Sequence, residues 1–245
     1  MVGNPHDTSD LSQEALIKIV SNHGNFKFGS SFQTWAFRIV RNHFLNDQKA
    51  SLKTPTNNFK ELGDALDSIP NIELSKDEIE ERKDLLKETR LACMSGMLLC
   101  LTKEQRMIFI IGEMFSVNHT VGSEIMEISK ENFRMKLSKA RKDLTNFMNH
   151  KCGLINKANP CRCHKKVTVN LEAEVIDAKN LLYNRQEFST FREELEQDAG
   201  YIVDESELKY MDLYRDHSFK TQFEKKNFLV QLLDDADWKN RLNLN

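Results

Sequence analysis

The chain has 245 residues, of which 40% are hydrophobic and 29% charged, and its formal net charge is -2. Only 9 Gly and 4 Pro interrupt it, which favours helices over closely spaced strands and turns, so an all-α fold is predicted. No apolar run reaches the ~18 residues of a membrane span, and the start, MVGNPHDTSD, lacks a signal-peptide pattern, so a cytoplasmic protein without a membrane span is expected.

In chain order, DLSQEALIKIVS places Leu11, Ala15, Leu16, Ile19 and Val20 on one side of a helix over 10–21, with Asp10 near its start. NFKFGSS then reads as a loop. FQTWAFRIVRNHFLNDQK resumes helical spacing through Phe32, Ala36, Ile39, Val40 and His43. Pro55, Gly63 and Pro70 mark 51–74 as a linker holding at most one weak helical turn, which closes a first domain at 1–50. From Ser75, a serine cap followed by acids predicts one helix to about Leu101. Thr102 restarts the pattern, and SVNHTVGSEIMEIS with KENFRMKLSKARKDLTNFMNH reads as a helix-turn-helix broken at Ser129, so 75–150 is a second domain. Residues 151–167 are short, basic and irregular. The acidic extension, 168–245, is expected to hold amphipathic helices, among them AEVIDAKNLLYN and KKNFLVQLLDDADW, which either regulate by covering the basic block or complete a core.

Charge is segregated along this plan. Residues 130–167 carry eleven Lys/Arg against two Asp/Glu, whereas 168–245 carry ten against seventeen. The basic block suits a polyanion such as DNA, although a solvated helix face would have the same composition. Within it Phe133, Leu137, Ala140, Leu144 and Phe147 recur at steps of four and three and face a core. Lys130, Arg134, Ser138 and Arg141 lie along the opposite side, and Ser129 can cap the helix. Arg bonds guanine and Asn bonds adenine bidentately, so Arg134 and Asn132 are candidate base readers, with Lys136, Lys139 and Lys142 as phosphate contacts.

A second constellation is FQTWAFRIVRNHF, with Trp35, Arg38 and Asn42 on one helical side and Phe37, Arg41 and Phe44 on another. Aromatics interleaved with arginines suit single-stranded DNA, and the same spacing suits an ordinary core. Cys152, Cys161, Cys163 and His164 supply the four soft ligands a tetrahedral zinc requires, in a spacing unlike a standard finger. Reduced thiols packed beside the helix-turn-helix, or a redox switch, are the alternatives. Five cysteines, an odd number, speak against a disulfide framework, and Cys93 and Cys100 read as core. No phosphate loop, HExxH pair or nucleophile elbow is present, so no catalytic activity is expected.

These segments resemble RNA polymerase sigma factors of the extracytoplasmic-function (ECF) type. DLSQEALIKI is similar to their polymerase-binding helix, FQTWAFRIVRN to the helix that melts and reads the upstream-of-start hexamer, and LTKEQRMIFIIGEMF, SVNHTVGSEIMEIS and NFRMKLSKARKDL to region four, whose last helix reads the hexamer near minus thirty-five. The resemblance covers about 8–150. It implies a shortened region two, with Asn46 where many members have Asp. CGLINKANPCRCHKK resembles an appendage of one subgroup. By the same resemblance Asp10, Gln13 and Glu14 would face the polymerase clamp, NFKFGSS with Asn42 would hold a flipped base, and Trp35 would lie near the point of strand separation. The implied partners are core RNA polymerase, promoter DNA and an anti-sigma factor. A polymerase-independent helix-turn-helix regulator and a metal or redox sensor built on the cysteine tail are the competing readings.

Overall fold

The computed structural model describes residues 5–46 and 58–182, and its regular elements there are all helical. Helix α1 (Pro5–Ser21) and helix α2 (Phe32–Asn46) pack on one another across a turn at His23–Asn25. Ser31 starts α2 by accepting the amide of Thr34 at 3.1 Å, which removes one of the unpaired donors at a helix start. Ala15 of α1 is buried, and Glu14 reaches the His43 ring at 3.3 Å.

The stretch expected to be a linker contains α3 (Phe59–Ser68), a helix of 10 residues capped by Asn58 on the Glu61 amide at 2.8 Å. Its apolar side, Phe59, Leu62 and Leu66, packs on the core of the following helices. Gly63 faces α8, where a Cβ would lie 3.0 Å from Lys151 Cε and 3.5 Å from Phe147. The glycine that reads as a breaker in the sequence is a packing residue.

The single helix expected over 75–101 is two. Ser75 and Glu78 form the anticipated reciprocal capping box of α4 (Lys76–Glu81). Arg82 then leaves helical geometry (φ -103°, ψ 22°) before α5 (Lys83–Leu99). Thr102 and Gln105 make a second capping box at α6 (Lys103–Phe109), which runs on as a π turn over Ile110–Met114. Arg106, buried in this corner, donates to the carbonyls of Leu98, Leu99 and Leu101, so it pairs carbonyls at the buried C-terminal end of α5. Burial lowers its pKa to about 10, and it remains protonated at neutral pH.

Helix α7 (His119–Met126) and helix α8 (Lys130–Lys151) form the helix-turn-helix. Asn118 caps α7 on the amides of Thr120 and Val121, both at 3.0 Å, and Glu127 turns the chain with a φ of 53°. Ser129 caps α8 on the Asn132 amide. Phe133, Leu137, Ala140, Leu144 and Phe147 are all buried, as the spacing predicts. Gly122 lets α7 lie directly on Phe133, since a Cβ there would stand 2.5 Å from the ring. Each large apolar side chain buried along this stripe contributes about 1.5–3 kcal/mol.

Two apolar clusters result. One joins α3, α5, α6 and α8 around Met94, Leu98, Phe109, Leu144 and Met148. The other joins α6, α7 and α8 around Ile108, Ile125, Phe133 and Leu137, and it also takes in Phe44 of α2. The first helix pair is therefore docked on the helix-turn-helix through its own apolar side.

After α8 a loop leads to α9 (Cys163–Glu172), which packs on α5. The amphipathic helix expected from AEVIDAKNLLYN does not form over 173–182. Glu174 takes a φ of 54°, and Val175 and Ile176 donate back to the Asn170 carbonyl, so the chain reverses. It returns to α5, where the Leu182 amide donates to buried Glu88 at 2.6 Å. KKNFLVQLLDDADW and the rest of the acidic extension lie outside the described residues.

Candidate nucleic-acid interface

Opposite its buried stripe, α8 presents Asn132, Arg134, Ser138, Lys139 and Lys142 to solvent, with Lys130 half-buried at its start. This row carries cations and neutral polar groups, with the exposed Glu131 beside them in the first turn, and it is rigid because its reverse side is packed. The exposed apolar Met135, 60% accessible, lies beside Arg134 in the chain. Apolar contact with a thymine methyl is available to such a side chain.

Two expected DNA contacts are engaged within the fold. Arg141 forms an ion pair with Glu113, whose side chain is only 3% exposed, and thereby neutralises a carboxylate held in the core. Lys136 pairs with Glu104 at 2.5 Å. Arg134 donates through Nε to His119 Nδ1 at 3.3 Å, which steadies its guanidinium at the exposed edge. Partial burial, then the charges of Arg134, Arg141 and Lys130, hold the His119 pKa below its usual value.

On α2, Arg38 donates to the Glu124 carbonyl at 2.8 Å, and Arg41 donates to the Met126 carbonyl and the Glu127 carboxylate, each at 2.6 Å. Both arginines thus bind the C-terminal end of α7, where carbonyls are left unpaired. Arg41 also contacts Asn42. Trp35 is half-buried in an aromatic group with Phe26 and Phe32, at ring distances of 5.5 and 5.4 Å. Phe32 and Phe28 at the rim of that group are exposed, Phe28 by 86% with a φ of 56°.

Beside this group lies a cavity of about 340 Å³ lined by Trp35, Asn42, Asn22, Asn25, Asn46 and Lys18. Amides that both donate and accept, next to an indole face, match the edge and face of a nucleobase. Lys18 and Asn22 are members that the linear pattern does not single out. The density of asparagines on both sides of the loop was the available signal. Asp10, Gln13 and Glu14 form an exposed strip on α1, on which Glu14 is also tied to His43.

The zinc set expected from Cys152, Cys161, Cys163 and His164 is not assembled as such. Among the described residues no three Cys, His, Asp or Glu side chains stand in a group that could hold an ion. His164 instead acts electrostatically on Glu73, which also bonds Lys165. Cys93 of α5 packs against the apolar cluster around Met94 and Leu98, as expected of a core thiol. Burial is the main cause that pushes the thiols of Cys93 and Cys161 up and that of Cys163 to about 11.

Residues 1–51 match the sigma-70 region 2 family. Over this segment the chain is similar to the sigma-70 family. A stretch of 42 residues is 40% identical to the ECF RNA polymerase sigma factor SigW of Bacillus subtilis (strain 168), covering 17% of this chain and 22% of that protein. No solved structure matches. The matched segment spans α1 and α2, and no helix of the described residues is long and apolar enough to cross a membrane.

Proposed function

We propose that this chain is a sigma-70 family transcription initiation factor that brings core RNA polymerase to promoters, with catalysis left to the polymerase. The observation that carries the reading is the solvent-facing row Asn132, Arg134, Ser138 and Lys139 on a capped second helix of a helix-turn-helix, in a chain whose α1 and α2 match region 2. An exposed helix of this kind fits the major groove: Arg134 and Asn132 read base edges, and Lys130, Lys139 and Lys142 hold phosphates.

In the same reading, the asparagine-lined cavity beside Trp35 takes one unstacked promoter base, and Asp10, Gln13 and Glu14 face the polymerase. Arg38 and Arg41 become available to DNA only when α2 separates from α7. Copurification of the full chain with core polymerase is the direct test. Retention of the chain on core polymerase, with loss of retention in an Asp10→Lys, Glu14→Lys variant, is expected. Binding to duplex DNA without any association with polymerase would instead support a free-standing helix-turn-helix regulator.

A further inference from the structure

Cys152 and Cys161 meet where the chain leaves the helix-turn-helix. Cys152 is the C-terminal cap residue of α8: its amide still donates to the Met148 carbonyl, while its backbone has turned to extended geometry (φ -89°, ψ 120°). The chain then loops back, and Cys161 pairs with Cys152 as an isolated parallel bridge. Beside that pair, Gly153 N donates to the Cys161 carbonyl at 3.1 Å. Residues paired across a bridge carry their side chains to the same side, with α-carbons about 4.8 Å apart as in neighbouring strands. A disulfide joins α-carbons about 4.4–6.8 Å apart, so the backbone already meets the requirement of such a bond.

The approach is fixed by the loop's own hydrogen bonds. Asn159 donates to the carbonyls of Asn149 and Cys152, and Asn156 donates to that of Asn149. Arg162 donates to the carbonyls of Lys157, Asn159 and Cys161. A Cβ at Gly153 would stand 2.3 Å from the Cys161 carbonyl oxygen, so glycine is required for the two sides of the loop to come this close. Both cysteines are free thiols and half-buried, within reach of a small oxidant.

What the loop joins gives the pair its leverage. It leads from α8 into α9, and α9 in turn holds the end of α3: Lys166 donates to the carbonyls of Leu66 and Ile69, and the Lys165 carbonyl accepts the Ile72 amide at 3.0 Å. A covalent bond between Cys152 and Cys161 would tie this whole attachment to the end of α8.

We infer that Cys152 and Cys161 form a reversible disulfide, a redox-sensitive latch between the end of α8 and the start of α9. The oxidant is a small disulfide of the glutathione class. One cysteine thiolate attacks it and releases one glutathione, and the other cysteine breaks the mixed disulfide and releases the second. Two electrons and the two thiol protons pass to glutathione, whose S–S bond is exchanged for that of the chain. In a reducing compartment the pair rests as two thiols, and a disulfide formed there is a transient signal. The inference is independent of promoter reading.

The test equilibrates the full chain with reduced and oxidised glutathione in stepped ratios, quenches by alkylation and digests with trypsin. Trypsin places Cys152, Cys161 and Cys163 in separate peptides, 152–157, 158–162 and 163–165. As the oxidised share rises, peptides 152–157 and 158–162 should be recovered joined by a disulfide, and dithiothreitol should release them. Cys93, Cys100 and Cys163 should stay open to alkylation, after unfolding, at the same ratios. Urea added during equilibration should abolish the preference for this pair. Gly153→Ala, which forces the bridge apart and keeps both thiols, should shift the linkage to more oxidising ratios. The folded and urea measurements use the wild-type chain, so the test does not depend on the variant folding. Separate recovery of Cys152 and Cys161 at every ratio, a dominant link from either to Cys163, the same pairing in urea, or unchanged formation in Gly153→Ala would each overturn the inference.

Discussion

Arg41 of α2 reaches the Glu127 carboxylate at 2.6 Å, so an arginine expected to contact DNA instead holds the turn of the chain's own helix-turn-helix. Its side chain is 14% exposed and that of Glu127 is 51% exposed, which leaves the pair open to solvent screening. Removing the charge with Glu127→Gln should cost under about 1 kcal/mol of stability while loosening the α2–α7 contact. Single-stranded promoter DNA should then bind more tightly to the free chain at low salt. Unchanged binding in fluorescence titrations would mean that the contact does not gate access to α2.

Arg141 should behave as a structural residue despite its place in the basic stretch. Arg141→Ala leaves the carboxylate of Glu113 in the core without this cation. For fully buried pairs such a loss costs ~3–5 kcal/mol, and the 29% exposure of the Arg141 side chain lowers the expectation to about 2 kcal/mol. Lys139→Ala, on the exposed face, should leave the melting temperature unchanged. Thermal denaturation of the two variants checks the contrast.

His119 predicts a direction of pH dependence. Its folded-state pKa is lowered by burial and by Arg134, Arg141 and Lys130, so below its unfolded value of about 6.5 the unfolded chain takes up more protons than the folded one. Its contribution is present above that pH and is lost as pH falls through the window beneath it. His119→Gln should flatten the fall in stability between about pH 7 and pH 5, and an identical profile in the variant would remove His119 as the cause.

Arg134 and Lys139 separate base reading from phosphate binding on the same helix face. Arg134→Ala should cost ~1–3 kcal/mol on the true promoter and little on random DNA, whereas Lys139→Ala should weaken both alike and lower the salt slope by about one counterion. Equal losses on both DNAs for both variants would reduce α8 to an electrostatic anchor.

The parts of this fold that follow local rules were legible in the sequence. The steps of four and three from Phe133 to Phe147, the Ser75 and Ser129 caps and the restart at Thr102 each depend on neighbours within one or two turns. What was hidden depends on distant partners. Gly63 and the flanking prolines disguised α3, because the packing against Phe147 and Lys151 that stabilises it comes from a helix some eighty residues on. The break at Arg82 lies inside an uninterrupted helical pattern, and the reversal at Glu174 is set by bonds to the Asn170 carbonyl instead of by propensity.

The candidate site divided in the same way. Exposure of Asn132, Arg134, Ser138 and Lys139 followed from the position of the buried stripe. The engagement of Arg38, Arg41, Lys136 and Arg141 by carbonyls and acids on other helices left no trace in their own segments.

The measurement that bears most directly on the proposed function is run-off transcription with core polymerase, the full-length chain and genomic promoter fragments. A discrete transcript that requires the chain, and that falls at least about fivefold with Arg134→Ala as ~1–3 kcal/mol of lost promoter binding implies, is the predicted result. Transcription that is the same with and without the chain, while the chain still binds duplex DNA, would contradict it.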